Sequence, residues 1–179
     1  IGDFGDIKLM ADWLSATGQN ILQLLPVNDT TVCGGNEDSY PYNCVSVYAL
    51  NPIYADMSVL PVLASDKRIA YYRKESAKLN AMEVVKYAQV YRLKISYLRE
   101  LFDELGSDVL SSDGYKAFCH EQEQWLKPYC LFRFLSTRLH SNMWDWKDYP
   151  RYDSTTWDRL IAEYSDAERE MRFYSYVQY

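Results

Sequence analysis

Between Asp38 and Tyr54 the chain reads DSYPYNCVSVYALNPIY, with Tyr40, Tyr42, Tyr48 and Tyr54 set among small and polar residues and Pro41 and Pro52 interrupting the run. Such a stretch suits neither a plain helix nor a plain strand, since each proline lacks the N–H that either ladder needs. Its residue types fit the recognition of a sugar. A sugar ring presents apolar C–H faces and a fringe of hydroxyls, and tyrosine supplies a flat aromatic wall and a hydrogen-bonding tip in one side chain. Asp38, Ser39, Tyr40 and Tyr42, fixed by Pro41, match that requirement. The same residues equally suit a tyrosine-rich turn packed under a helical segment, and residue types alone leave both open.

Other chemistry is sparse. His120 and His140 are the two histidines, both in helical patterns without a serine or cysteine partner at readable spacing, so a catalytic triad is not expected. Glu121 and Glu123 flank His120, but neighbours one or two apart on a helix point to different faces, which favours a solvated surface over a metal cluster. Cys33, Cys44, Cys119 and Cys130 show no CxxC spacing, which points to reduced thiols in a cytoplasmic protein. In WDWKDYP an aromatic pair straddles an acid; it could stack a sugar, although locking a loop onto helices is the better expectation. No metal and no cofactor are expected.

These residues sit in a chain of 179 residues, 48% hydrophobic and 25% charged, which is the composition of a soluble globular fold. A net charge of −6 disfavours nucleic acid or an anionic membrane as partner, because phosphate surfaces select clustered Lys and Arg. No run is long and apolar enough to span a bilayer, and Ile1 opens onto Gly2 and Asp3 without the basic and apolar regions of a signal peptide. The far end, MRFYSYVQY, stops inside an aromatic run. A fragment of a longer protein is therefore expected.

The elements that must position the loop begin with a helix capped by Asp6, carrying Leu9, Met10, Trp13 and Leu14 as its apolar stripe, and stopped by a left-handed Gly18. ILQLLPV then reads as a buried strand. In a parallel sheet ligands sit on the loops after such strands, here the stretch from Asn28 to Asn51. From Leu60 the pattern turns helical. Val84, Ala88, Tyr91, Ile95, Leu98, Phe102 and Leu105 form one stripe on a long helix, with Asn80 and Glu83 as a capping box and Gly106 as its end. GYKAFCHEQEQWL and PYCLFRFLSTRLH predict two more helices, the second starting at Pro128. Beyond the loop SNMWDWKDYPRYDST, a last helix runs through Trp157, Leu160, Ile161 and Tyr164, and Ser165 with Glu168 offers a further capping box.

Taken in order, GDFG before an amphipathic helix, LQLLPVND, and DSYPYNCVSVYALNPIYAD resemble the amino-terminal part of the catalytic domain of amylomaltases, the 4-alpha-glucanotransferases of the alpha-amylase clan. The DSYPYN form is similar to the larger subtype called disproportionating enzyme 2. WLKPYCLFRFL and WDWKDYPR resemble that family's helical insertion, so the likeness covers nearly the whole chain.

The resemblance implies an α/β fold: the N-terminal portion of a partial TIM (β/α)8 barrel with a mostly α-helical inserted subdomain, helix-dominated as a fragment. Residues 1–59 would be barrel (helix, strand and substrate loop), 60–153 the helical insertion, and 154–179 a helical segment leading back towards the barrel. It further implies transfer of α-1,4-glucan segments between maltodextrins by a retaining two-carboxylate mechanism, with a non-catalytic carbohydrate-binding or helical interaction module and an α-glucan hydrolase of the same clan as the alternatives. The carboxylates that carry it in the family lie beyond this sequence, so no catalytic residue is assigned and the fragment alone is expected to be inactive. The implied partners are a maltodextrin and the remainder of the catalytic domain. Tyr42 matches the family tyrosine that lines the donor subsite, with Ser39 and Asp38 just before it; the additional Tyr40 departs from the shorter motif of small amylomaltases and shifts their placement by a residue. Ser46, Asn51 and Pro52 match positions that shape the loop's return. With the first barrel strand missing, the edge of ILQLLPV would be left unpaired, which predicts poor solubility or pairing with another chain.

Overall fold

A computed structural model describes residues 2–149 and 151–179. The first helix, α1, spans Phe4–Ala16. Its cap is Asp3, whose carboxylate accepts from the N–H groups of Gly5 at 3.0 Å and Asp6 at 3.3 Å. Asp6 answers from the N3 position by accepting from Asp3 N–H at 2.9 Å. Asp6 therefore closes the capping box and does not open the helix, as its own sequence position suggested; a cap must precede the first helical residue to reach the free N–H groups. Gly18 takes φ +73°, the left-handed stop that its sequence context implies. Of the predicted stripe only Leu14 is buried; Leu9, Met10 and Trp13 are exposed.

ILQLLPV does not form a strand. Ile21 to Val27 runs without regular secondary structure, and Ile21, Leu24 and Leu25 are exposed. A strand exists only through a ladder partner, and among the described residues a single antiparallel bridge, Asn28 to Leu50, is the only sheet-type pairing. The helix-dominated part of the expected architecture is present, and the barrel sheet is not seen in the described residues.

Among the described residues six more α-helices follow. Helix α2, Asp66–Asn80, is capped by Ser65, which accepts from Arg68 N–H at 3.4 Å. Asn80 ends this helix, so it cannot open a capping box with Glu83; α3 starts later, at Tyr87, and runs to Ser111. Val84 lies before it and is exposed, whereas Tyr91, Leu98 and Phe102 are buried as their spacing predicts. Gly106 does not end α3. It is buried inside the helix, where a Cβ would come 2.7 Å from the Phe102 ring, and so it serves close packing.

Helices α4, Asp113–Glu121, and α5, Glu123–Leu139, meet at Gln122. The break thus falls earlier than expected, and Pro128 lies inside α5, where it removes one backbone bond. Leu126, Tyr129 and Cys130 on either side are buried, and that packing carries the helix through. A single turn at Met143–Asp145 precedes α6, Thr156–Glu163, and α7, Ala167–Gln178. The cap of α7 is Asp166, not Ser165; it has helical dihedrals and its side chain makes no capping bond, so the proposed box with Glu168 is absent.

The main core is shared by α3, α5 and α7. Leu98 and Phe102 meet Leu131, Phe134 and Leu135, together with Met171 and Phe173. Phe102 and Phe173 cross edge to face with ring centroids 5.6 Å apart. Helix α2 packs on the other flank of α3, where Tyr72 meets Tyr97 at 5.0 Å and both lie near the fully buried Leu101.

Candidate functional site

The loop from Asn28 to Asn51 rests on this helical core. Asp29, fully buried, accepts at one carboxylate oxygen from Thr31 N–H at 3.0 Å and Thr31 Oγ1 at 2.6 Å. Its other oxygen accepts from the Tyr129 hydroxyl at 2.7 Å and lies 3.9 Å from the Arg133 guanidinium. Arg133, buried in α5, donates to the Thr31 carbonyl and to the Tyr91 hydroxyl, the latter at 2.8 Å. Burial, reinforced by the neighbouring Asp29 carboxylate, pushes the Tyr129 phenol well above its ordinary pKa, so it stays a neutral donor.

The return of the loop is fixed separately. Asn51 accepts from Ile53 N–H at 3.0 Å and donates to Tyr87 at 3.0 Å and to Thr30 Oγ1 at 3.2 Å. Pro52 opens the short turn Pro52–Tyr54 that follows. Ser46 accepts from the N–H groups of Tyr48 and Ala49 at 3.2 and 3.1 Å. From the end of α7, Gln178 both accepts from Leu50 N–H and donates to Leu50 C=O, each at 2.9 Å, in the manner of a strand neighbour.

Asp38 is buried in this loop. It accepts from Gly34 N–H at 2.6 Å and Cys33 N–H at 3.1 Å, while its own carbonyl accepts from Thr30 Oγ1. Gly34 has φ +74°, a conformation that suits glycine, and here it aims the N–H at the carboxylate. Burial and the nearby Asp38 carboxylate raise the Cys33 thiol above its ordinary pKa. Ser39 ends the turn Asn36–Ser39 and is exposed. Tyr40 and Tyr42 are each 61% exposed, with ring centroids 5.6 Å apart and planes inclined by 52°. The structure thus brings the two phenols together at the surface, with Ser39 beside them and Asp38 turned inward.

The chain's other singled-out groups lie elsewhere. His140 caps α5 with φ +50°, and His120 sits in the last turn of α4, both exposed. Among the described residues no group of three or more His, Cys, Asp and Glu is placed to hold a metal, and no helix is long and apolar enough to cross a membrane. In the tryptophan pair, Trp146 is buried against Phe132 at 5.6 Å, whereas Trp144 is 80% exposed. The Asp29, Tyr129 and Arg133 cluster was not singled out from sequence. Its signal was a cation inside the apolar run LFRFL, one helical turn from Tyr129.

The whole chain, residues 1–179, matches the family model described as 4-alpha-glucanotransferase. It is 35% identical to the 4-alpha-glucanotransferase DPE2 of Oryza sativa subsp. japonica, across all of this chain and 19% of that protein. It is 33% identical to a 4-alpha-glucanotransferase of Chlamydia muridarum, across all of this chain and 33% of that protein, and 25% identical to one of Clostridium butyricum, across all of this chain and 35% of that protein. The chain therefore spans about a fifth to a third of the length of these relatives. No solved structure matches it. A match over every residue, with relatives in plants and bacteria bearing the same description, establishes that the chain belongs to the 4-alpha-glucanotransferase family.

Proposed function

We propose that the protein carrying this chain transfers α-1,4-glucan segments between maltodextrins, and that Tyr40 and Tyr42, with Ser39, form part of its donor-side sugar contact. The observation that carries this is the exposed tyrosine pair on a loop held in place by its buried polar side chains, Asp29, Asp38 and Asn51. Two inclined and exposed phenol rings offer a sugar both a face and hydrogen bonds. Asp38 acts through the loop: its carboxylate is occupied by backbone N–H groups, so it sets the direction in which the phenols project.

The retaining two-carboxylate chemistry belongs to the family, and its acids are assigned to no residue of this chain. Residues 1–59 are read as the start of a (β/α)8 barrel, 60–153 as a helical insertion, and 154–179 as a helical segment leading back to the barrel. The exposed Met10, Leu24 and Leu25 support this, because with Phe4, Ile7 and Leu22 they line a groove of about 250 Å³ that a barrel neighbour would fill. The remainder of the catalytic domain is then the partner of that face. A cytoplasmic setting fits the four free cysteines.

The test is chromatography of the products formed from maltotriose by the whole protein and by its Tyr42→Ala variant. Glucose together with chains longer than maltotriose, and at least tenfold less of both in the variant, is the expected result, a loss typical of removing a sugar-positioning group. Glucose and maltose alone would make the protein a hydrolase, and unchanged transfer in the variant would remove Tyr42 from the site.

A further inference from the structure

A second aromatic surface lies apart from the tyrosine pair. The Val45–Tyr48 stretch of the loop, the first turns of α5 and the segment before α6 enclose a cleft of about 400 Å³. Its walls include Tyr48, Gln124, Trp125, Trp146, Arg151 and Tyr152. Tyr48 and Trp125 lie nearly parallel, 18° between planes and 6.0 Å between centroids, and Tyr48 is 64% exposed. We propose that this cleft binds an α-glucan chain, as a docking groove additional to the site at Tyr40 and Tyr42.

The cleft is a built feature. The Trp125 indole donates to Gln122 at 2.7 Å, and the Trp146 indole donates to Ser141 at 3.2 Å while its ring packs on Phe132. Tyr149 is anchored to α6 by a hydrogen bond to Glu163 and by Arg159, whose guanidinium lies 4.6 Å from its ring centre. Tyr48 is set by the two bonds that Ser46 accepts from the adjoining backbone. Aromatic rings therefore stand in fixed positions, and Gln124, Arg151 and Tyr152 line the same cleft. Rings beside hydrogen-bonding groups match a chain of sugar rings, each with two apolar faces and a hydroxyl edge. The net charge of −6 works against a polyanion at the same place. The choice of an α-glucan over other sugar chains rests on the function proposed above; the cleft geometry is independent of Tyr42.

Titration calorimetry of the whole protein with maltoheptaose reads this directly, comparing the native protein, Tyr42→Ala, and the double variant Tyr48→Ala/Tyr152→Ala. Losing two aromatic rings from the lining is expected to weaken one binding event about tenfold in the double variant, while Tyr42→Ala retains that event. Both substituted side chains are substantially exposed, and Tyr152→Ala alone leaves the loop untouched, so a weaker form of the same loss is expected there if the double variant folds poorly. Native affinity in both variants overturns the groove, as does a loss confined to Tyr42→Ala. The two proposals separate cleanly. Absence of transfer from maltotriose with the double-variant loss intact sinks the proposed reaction and keeps the groove, and normal transfer with undiminished maltoheptaose binding in the double variant does the reverse.

Discussion

Replacing Arg133 by Met tests what holds the loop to the helices. In the structure the guanidinium is 3.9 Å from the Asp29 carboxylate, and both side chains are almost wholly buried. At an effective dielectric near 20, two unit charges so placed attract by about 4 kcal/mol, much of which offsets their desolvation. Removing one partner from such a pair costs about 3–5 kcal/mol. The two ends differ, however. Without Arg133, Asp29 still accepts from Thr31 N–H, Thr31 Oγ1 and Tyr129, so Arg133→Met belongs near about 3 kcal/mol. Without Asp29, the guanidinium keeps the neutral Thr31 carbonyl, the Tyr91 hydroxyl and the face of the Tyr174 ring at 5.1 Å, but no anion within the loop, so Asp29→Ala belongs near about 5 kcal/mol. The double variant removes both charges and should cost less than the sum by about 2 kcal/mol. Urea unfolding of the whole protein followed by tryptophan fluorescence gives the cycle, and proteolysis of the loop gives an independent readout. Strict additivity within about 0.5 kcal/mol, or Arg133→Met within about 1 kcal/mol of native, would refute the reasoning.

Two further substitutions probe the helices. Gly106→Ala should destabilise by about 1 kcal/mol: alanine gains about 1 kcal/mol of helix propensity, but its Cβ would meet the Phe102 ring, itself held against Phe173 and Tyr176, and overpacking costs about 1–3 kcal/mol. A raised thermal midpoint for that variant would show that Phe102 moves aside freely. Glu100 accepts from Arg68 and, at 2.7 Å, from Tyr72, and the Arg68 hydrogen bond chiefly lowers its pKa below 4.5. Its stabilisation is therefore fully present above pH 4.5 and is lost as pH falls through the lowered folded value. Glu100→Gln should lose less stability than the native protein between about pH 6 and pH 3, measured by urea unfolding, and parallel curves would count against it.

What could be seen in the sequence divides along physical lines. Tyr91, Leu98 and Phe102 repeat at helical spacing and are buried, because α3 finds partners in α5 and α7 on that face. ILQLLPV carries the composition of a strand, but composition cannot supply the neighbouring chain that a ladder requires, and its side chains remain exposed here. Local preference makes Gly106 and Pro128 helix boundaries, and packing overrides both: one glycine gives room to Phe102, and burial around the proline carries α5 past a missing bond. The tyrosine run was legible by type, whereas its sorting into Tyr40 and Tyr42 outside and Asp38 inside was not. That sorting depends on Gly34 and Cys33 presenting their N–H groups to one carboxylate, which no spacing rule announces.

The same sorting explains why a glucan contact could sit on a loop at all. A loop of this length, left to itself, samples many conformations, and positioning a sugar requires that most of that freedom be removed beforehand. Here the polar side chains of the loop divide the labour. Asp29, Thr30, Thr31, Asp38 and Asn51 are buried and bonded within the loop or to Tyr87, Tyr129 and Arg133, so the backbone on either side of the tyrosine pair is fixed from both ends. Tyr40, Tyr42 and Tyr48 contribute little to that framework and remain at the surface. A disruption at Arg133, far along the sequence in α5, should therefore reach the proposed glucan contact through the loop's position, lowering affinity at Tyr42 even though the arginine is placed in neither of the proposed sugar contacts.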